Sequence, residues 1–567
     1  MLKYLCAMTA LTFAMSSPTS AAEVTSFDAF TPDWSEGFVV PVNGRANPYN
    51  LDPEEYQASV TRGKIHTQIY PVTVSGLIPP YYPVQRFFDT EAENPLMLAF
   101  RKIFTATTGR TNLDDILGWV GLGRYPALTD TGVYQIPRPT NQKQPTRIGF
   151  GLIKKDGAVG FSISCAACHA GSLFGKTVLG LTNRFPGANH AFNSISKLVP
   201  YTSSTVFRVF NGATAEETRL FERTMKNMKA LGVREPLLAG LDTSLSQVAL
   251  SLAKRSDDPW ATKSDYFEAH PRYDRLQDIP ADSKPAVWWN LKYKNRWLSD
   301  GSVVSGNPIF TNILWNEIGR GVDLQELGQW LTENSQVIKE LTTAVFSIEA
   351  PRFTDFFPAD QIDLAAAKRG EVLYQQSCAR CHGQYQKGWS QPGGELLSAA
   401  EQMQTLQVKY KQRTQVMDVG TDRLRAQGMA SLVPLNKLEI SQRNQTVIAT
   451  QVGYVAPPLV GIWARWPYMH NNSMPDLCTV LTAARNRASA YYAGEAINPK
   501  TDFDSRCNGY PSGAKTPAAW QIPERHYDTH RKGLGNGGHD EGIISQNGVD
   551  LFSNEQKSEL IQFLQTL

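Results

Sequence analysis

The chain has 567 residues, 41% of them hydrophobic and 19% charged, with a formal net charge of +3. That length exceeds one ordinary domain of roughly 100–200 residues, and the composition excludes a disordered chain. The charge is too small for this size to recruit nucleic acid, so no nucleic-acid partner is expected and any redox partner protein would be steered by a local patch.

In chain order, Lys3, the apolar stretch Leu5–Met15 and the small residues Ser20-Ala21-Ala22 form the three parts of a signal peptide. It is assigned to residues 1–22, with Glu23 the first mature residue. The apolar stretch is too short to span a bilayer, and no later segment is a long uncharged apolar run. A periplasmic or secreted protein without a membrane span is therefore expected. Cys6 leaves with the signal; Cys165, Cys168, Cys378, Cys381, Cys478 and Cys507 remain.

Residues 23–355 form a first unit. Within it Ile148–Ile163 (IGFGLIKKDGAVGFSI) is glycine-rich and β-like, with a hairpin turn predicted near Lys154–Ala158. It leads into Cys165-Ala166-Ala167-Cys168-His169. Cys-x-x-Cys-His is the attachment signal of a c-type haem. Two thiols at this spacing reach the two vinyl groups of one porphyrin, and the adjacent histidine becomes the proximal iron ligand. A Cys-x-x-Cys can also be a redox pair or half of a zinc site, but zinc makes no demand for His directly after the second Cys. His190, in RFPGANHAFN, is open to three readings: distal ligand, acid–base residue or structural histidine. Trp288 and Trp289 begin an aromatic run (WWNLKYKNRW) that serves either packing or electron relay between haems.

Residues 356–567 form a second unit. Asp363–Tyr374 (DLAAAKRGEVLY) reads as an amphipathic helix running into the second motif, Cys378-Ala379-Arg380-Cys381-His382. Gly370 and Tyr374 suit close packing against a C-terminal helix, Ser553–Leu567, with Ser553 as N-cap. Cys478 and Cys507, the leftover pair in an oxidising compartment, are expected to form a disulfide. The loop Asn498–Asp504 carries carboxylates that could hold calcium, but it departs from a full calcium-loop pattern and a solvated turn is preferred. Arg380 and Arg465 are candidates to pair with haem propionates.

The sixth iron positions decide function, because a doubly ligated haem transfers electrons and an open one binds small oxidants. Besides the two motif histidines there are His66, His190, His270, His470, His526, His530 and His539. His470, in YVAPPLVGIWARWPYMHNNSMPDL, is the favoured sixth ligand of the second haem, with Met469 and Met474 as thioether rivals. The first motif has no comparable partner nearby, so its haem, on His169, is expected to be the open, catalytic one.

The motif pair, the PPLVGIWARWPYMHNNSMPDL stretch and Tyr527–Gly542 (YDTHRKGLGNGGHDEG) resemble the large di-haem cytochromes related to rubber oxygenase. These belong with the bacterial di-haem cytochrome c peroxidases and MauG. The resemblance implies a mainly α fold: two cytochrome c-like haem domains, long irregular insertions and little β-structure. It also implies a bis-histidine second haem through His470 and an N-terminal haem that reacts with peroxide or dioxygen. Together these readings give an exported oxidoreductase with two covalent haems, acting on a small-molecule or polymer substrate or a redox partner protein. The alternative is a non-catalytic electron carrier with both irons six-coordinate.

Overall fold

The structure, a computed structural model, describes residues 30–70, 74, 76–88, 95–139, 147–198, 202–254 and 280–567. The expected signal peptide and His270 lie outside them. The fold is mainly α, 44% helix against 12% strand. Among the described residues every sheet is two-stranded, so there is no barrel. No helix among them is long and apolar enough to cross a membrane.

The second motif is served by two capped helices. Asp363 accepts the amide hydrogens of Ala365 and Ala366 and starts the helix Leu364–Ser377. Ser553 and Gln556 form a reciprocal cap that starts the helix Asn554–Gln565. The two helices cross at Gly370, where an added Cβ would lie 2.0 Å from the Glu559 carbonyl. Only glycine allows that approach. Tyr374, one turn on, stacks near Phe563 (5.1 Å) and donates to the Gly383 carbonyl just past the motif (2.8 Å). This is the arrangement read from the sequence.

The first motif has the predicted hairpin in front of it. Strands Phe150–Lys155 and Ala158–Ile163 pair antiparallel, from Phe150 opposite Ile163 to Lys155 opposite Ala158. The turn between them, Asp156-Gly157, has both residues at positive φ (52° and 81°), which fits the twist of a two-residue hairpin. Behind the hairpin lies a helix crossing that local reading did not anticipate. The helix Pro53–Ile69 packs on the helix Ser335–Ser347 and also touches Ala166–His169. It crosses at Gly63, where a Cβ would again lie 2.0 Å from a carbonyl, that of Glu340. Arg62 and His66, on either side, both bond the Glu340 carboxylate at 2.7 Å.

One apolar cluster runs from Ala166 and Ala170 of the first motif through Trp288 and Trp289 to Leu560–Leu567 at the chain end. The two motif regions therefore share a core. The Cys478–Cys507 disulfide is formed.

Candidate functional site

Cys165, Cys168 and His169 line the same cavity as Cys378, Cys381 and His382; its volume is about 510 Å³. The four sulfurs are free thiols, half-buried, with their exposed surface turned to the cavity. Burial pushes the Cys165 thiol up to about 11 and Cys378 up to about 12, and raises Cys168 as well. Thiols raised in this way, as in Cys165, Cys168 and Cys378, do not suit a thiolate nucleophile. Among the described residues, the four thiols form no common metal-ligating cluster, which removes the zinc reading.

Both motif histidines are oriented in the same way. His169 Nδ1 donates to the Ala286 carbonyl (2.9 Å), and His382 Nδ1 donates to the Pro457 carbonyl (2.8 Å). A metal-ligating imidazole normally spends its other nitrogen on such an acceptor, which fixes the tautomer and leaves Nε2 for the metal. Burial lowers His169 to about 4 and lowers His382 as well, so both are neutral and ligand-ready.

A single stretch of chain joins the two holders. Lys284 donates its amide hydrogen to the His470 carbonyl (2.8 Å), and Ala286 accepts from His169. Trp288 packs on the His169 ring at 5.0 Å. Trp289 Nε1 then donates to Val460 (2.9 Å) and Asn290 to Pro458 (3.0 Å), the run that begins at Pro457.

Near His382 lies His539, a histidine that the sequence reading did not single out. The two ring centres are 6.3 Å apart. With metal–imidazole bonds of ~2.0–2.1 Å, rings at this separation could hold one metal ion between them. His539 lines the cavity, its Nδ1 has no hydrogen-bond partner among the described residues, and burial lowers it to about 4. Its backbone is left-handed (φ 54°), a strained setting for a side-chain-bearing residue and one that concentrates at functional sites. The sequence signal was a histidine between glycines in GLGNGGHDEG, a segment quoted for its resemblance but not read for ligands.

His470 also lines the cavity, but it stacks face to face on Tyr454 (4.0 Å, 15°). Its Nδ1 too lacks a hydrogen-bond partner among the described residues. The two motif-like segments are tied together: Asn471 donates to the carbonyls of Gly533 (3.2 Å) and Gly535 (3.1 Å). Met469 reaches the cavity, whereas Met474 is fully buried away from it, bridged to Tyr468. His190 is turned outward, its side chain 48% exposed and bonded to Glu235, and it is not on the cavity wall. The helix that carries it directs Ala188 inward instead, so the distal reading of His190 is not supported. His66 is used by Glu340, and His530 by Asp528 on the surface.

Six cations line the cavity: Lys284, Lys294, Arg320, Arg380, Arg425 and Arg465; Asp242 is the carboxylate among them. Arg425 Nη1 makes a long ion pair with the buried Asp300 carboxylate (3.7 Å), and Arg320, whose Nε and Nη1 have no hydrogen-bond partner among the described residues, feels the charge of Asp242. Six cations against the one carboxylate on the wall still leave the cavity suited to further anions. The propionates of haem would supply them, so the residues fit haem c: thiols for the vinyls, a neutral imidazole for the iron, cations for the carboxylates. Of the two arginines named from sequence, Arg465 is buried on the wall and donates to Pro458 (2.9 Å), whereas Arg380 reaches out to Gly542 (3.0 Å). In the loop 498–504, Asp502 accepts from Ile497, Asn498 and Thr501, and Asp504 faces Arg506 and Lys515. Those carboxylates are engaged by the protein, in keeping with a structured turn.

Residues 453–492, which include the His470 turn, match a family described as RoxA-like, cytochrome c-like. The chain is also similar to two uncharacterized proteins of Sinorhizobium fredii. It is 29% identical to y4iJ over 138 residues, 24% of this chain and 21% of that protein. It is 28% identical to y4iM over 207 residues, 33% of this chain and 44% of that protein. The matched stretches thus span less than half of either relative. A cytochrome c-like domain implies haem c.

Proposed function

We propose that this chain is an exported di-haem c-type cytochrome of the di-haem peroxidase and MauG kind, working as an oxidoreductase in which one iron is open and the other closed. The observation that carries the reading is the asymmetry between two similarly oriented histidines. His382 has a second imidazole, that of His539, with ring centres 6.3 Å apart; His169 has Trp288 at its ring and, among the described residues, no imidazole in ring contact with it. The crossings at Gly63 and Gly370 support two cytochrome c-like units, one on each motif.

When bound, the haem groups supply electron storage and the activation of peroxide or dioxygen. The chain's own residues set where each happens. Cys165 and Cys168, and Cys378 and Cys381, would hold the two porphyrins covalently in one cavity. Ala286 and Pro457 keep the motif imidazoles in the tautomer that leaves Nε2 for a metal. His539 would hold the second iron together with His382, leaving electron transfer as that haem's chemistry. On the first side, Leu245 and Val248 provide apolar wall, while Trp315 presents a buried N–H group without a partner among the described residues. Donors of that kind stabilise negative charge developing on a bound oxidant. The run from Trp288 to Asn290 links the two proximal ligands and is the proposed relay.

A second reading, electron carriage alone, has one observation in its favour: His470 lines the cavity with an unpartnered nitrogen and would close the first iron if it reached it. The test is the ferric spectrum of protein made in a host competent in haem ligation, with cyanide and carbon monoxide titrations. One high-spin and one low-spin haem, with one haem binding exogenous ligand, is the expected result. Two low-spin haems inert to both ligands would establish the carrier.

A further inference from the structure

We propose that Arg487 is the positioning residue that keeps the second iron closed, by clamping the backbone of the loop that carries His539. The proposal rests on the reading of His539 as a sixth ligand and adds what holds it there. Arg487 is buried, and its donors go to main-chain carbonyls. Nε donates to Thr482 (2.8 Å), Nη1 to Asn536 and to Gly538 (2.7 Å), and Nη2 to His539 itself (3.0 Å).

A planar guanidinium presents donors in a fixed fork, so three carbonyls of one loop are set relative to one another by a single rigid group. Two further bonds close the same seam: Asn536 Nδ2 donates to the Ala488 carbonyl (3.0 Å), and the Asp540 carboxylate accepts the Ala484 amide hydrogen (3.0 Å). From the other side, the His539 amide donates to the Val419 carbonyl (2.7 Å), and Gly538 lies so close to Thr421 that a Cβ would be 2.4 Å from its nitrogen.

The loop is thus held between two walls, and a left-handed histidine persists where an isolated one would relax. Without the clamp, the imidazole is free to swing off the iron, and the second haem becomes open like the first. A buried cation is a costly way to hold three carbonyls; here the three carbonyls belong to the loop that brings His539 to the second motif.

The experiment uses the full haem-loaded chain with Arg487→Gln, Arg487→Lys and His539→Ala, each checked for two porphyrin masses. Arg487→Gln is expected to develop a high-spin ferric fraction at the second haem and to bind added imidazole or cyanide there roughly 10-fold or more tightly than the parent, the scale on which outer partners of metal-bound histidines act. Saturating imidazole should restore the low-spin spectrum, a rescue that general unfolding would not show. If Arg487→Gln does not fold, Arg487→Lys is read by the same criteria. A variant that stays fully low-spin and inert to imidazole while His539→Ala opens the haem overturns the clamp alone. A His539→Ala protein with an unchanged low-spin signal overturns the ligand assignment beneath it.

Discussion

At the second motif, nearly everything that shapes the site comes from residues 356–567: the leading helix, the C-terminal helix that crosses it, the Pro457 holder and the His539 loop. At the first, the same five-residue signal draws on residues hundreds of positions apart, with Gly63 meeting Glu340 and His169 meeting Ala286. Both places carry the same local Cys-x-x-Cys-His pattern, whereas the groups that surround each motif histidine are brought to it by distant chain.

The sharpest way to break the comparison is to remove the thiols. Cys165→Ser with Cys168→Ser, and separately Cys378→Ser with Cys381→Ser, should each cost the mass of one porphyrin, read by intact-protein mass spectrometry. Loss of neither would end the two-haem account. Next in size is the ligand exchange. His539→Ala should convert the second haem to an open, cyanide-binding form, whereas His470→Ala should leave its low-spin signal in place; the reverse pattern would restore His470 as the sixth ligand.

A smaller effect separates the two helix crossings. Gly370→Ala and Gly63→Ala each force a methyl to within 2.0 Å of a carbonyl. Each should destabilise its own site by ~1–3 kcal/mol, seen as an earlier denaturation midpoint in the absorption of one haem ahead of the other. Midpoints that move together would show that the shared core unfolds as one unit. Smallest is the cap: Asp363→Ala should cost about 1 kcal/mol, felt at the second site only.

Legible in the residues alone were the two Cys-x-x-Cys-His motifs, the helices of the second unit, the hairpin before the first motif and the Cys478–Cys507 pairing. The motifs, the hairpin and each helix are written in residues within a few turns of one another, where spacing and side-chain chemistry act directly, while the disulfide followed from being the leftover cysteine pair. Tertiary structure alone decided which histidine faces His382, that His190 points to solvent, and that Ala286, Pro457 and Arg487 hold the ligands. Backbone carbonyls have no side-chain signature, and a ligand pair is fixed by the packing of distant loops. For that reason His539, in a glycine-rich turn, carried no local mark that set it apart, and only the fold places its ring 6.3 Å from that of His382, while His470, in an apolar aromatic run, stacks on Tyr454.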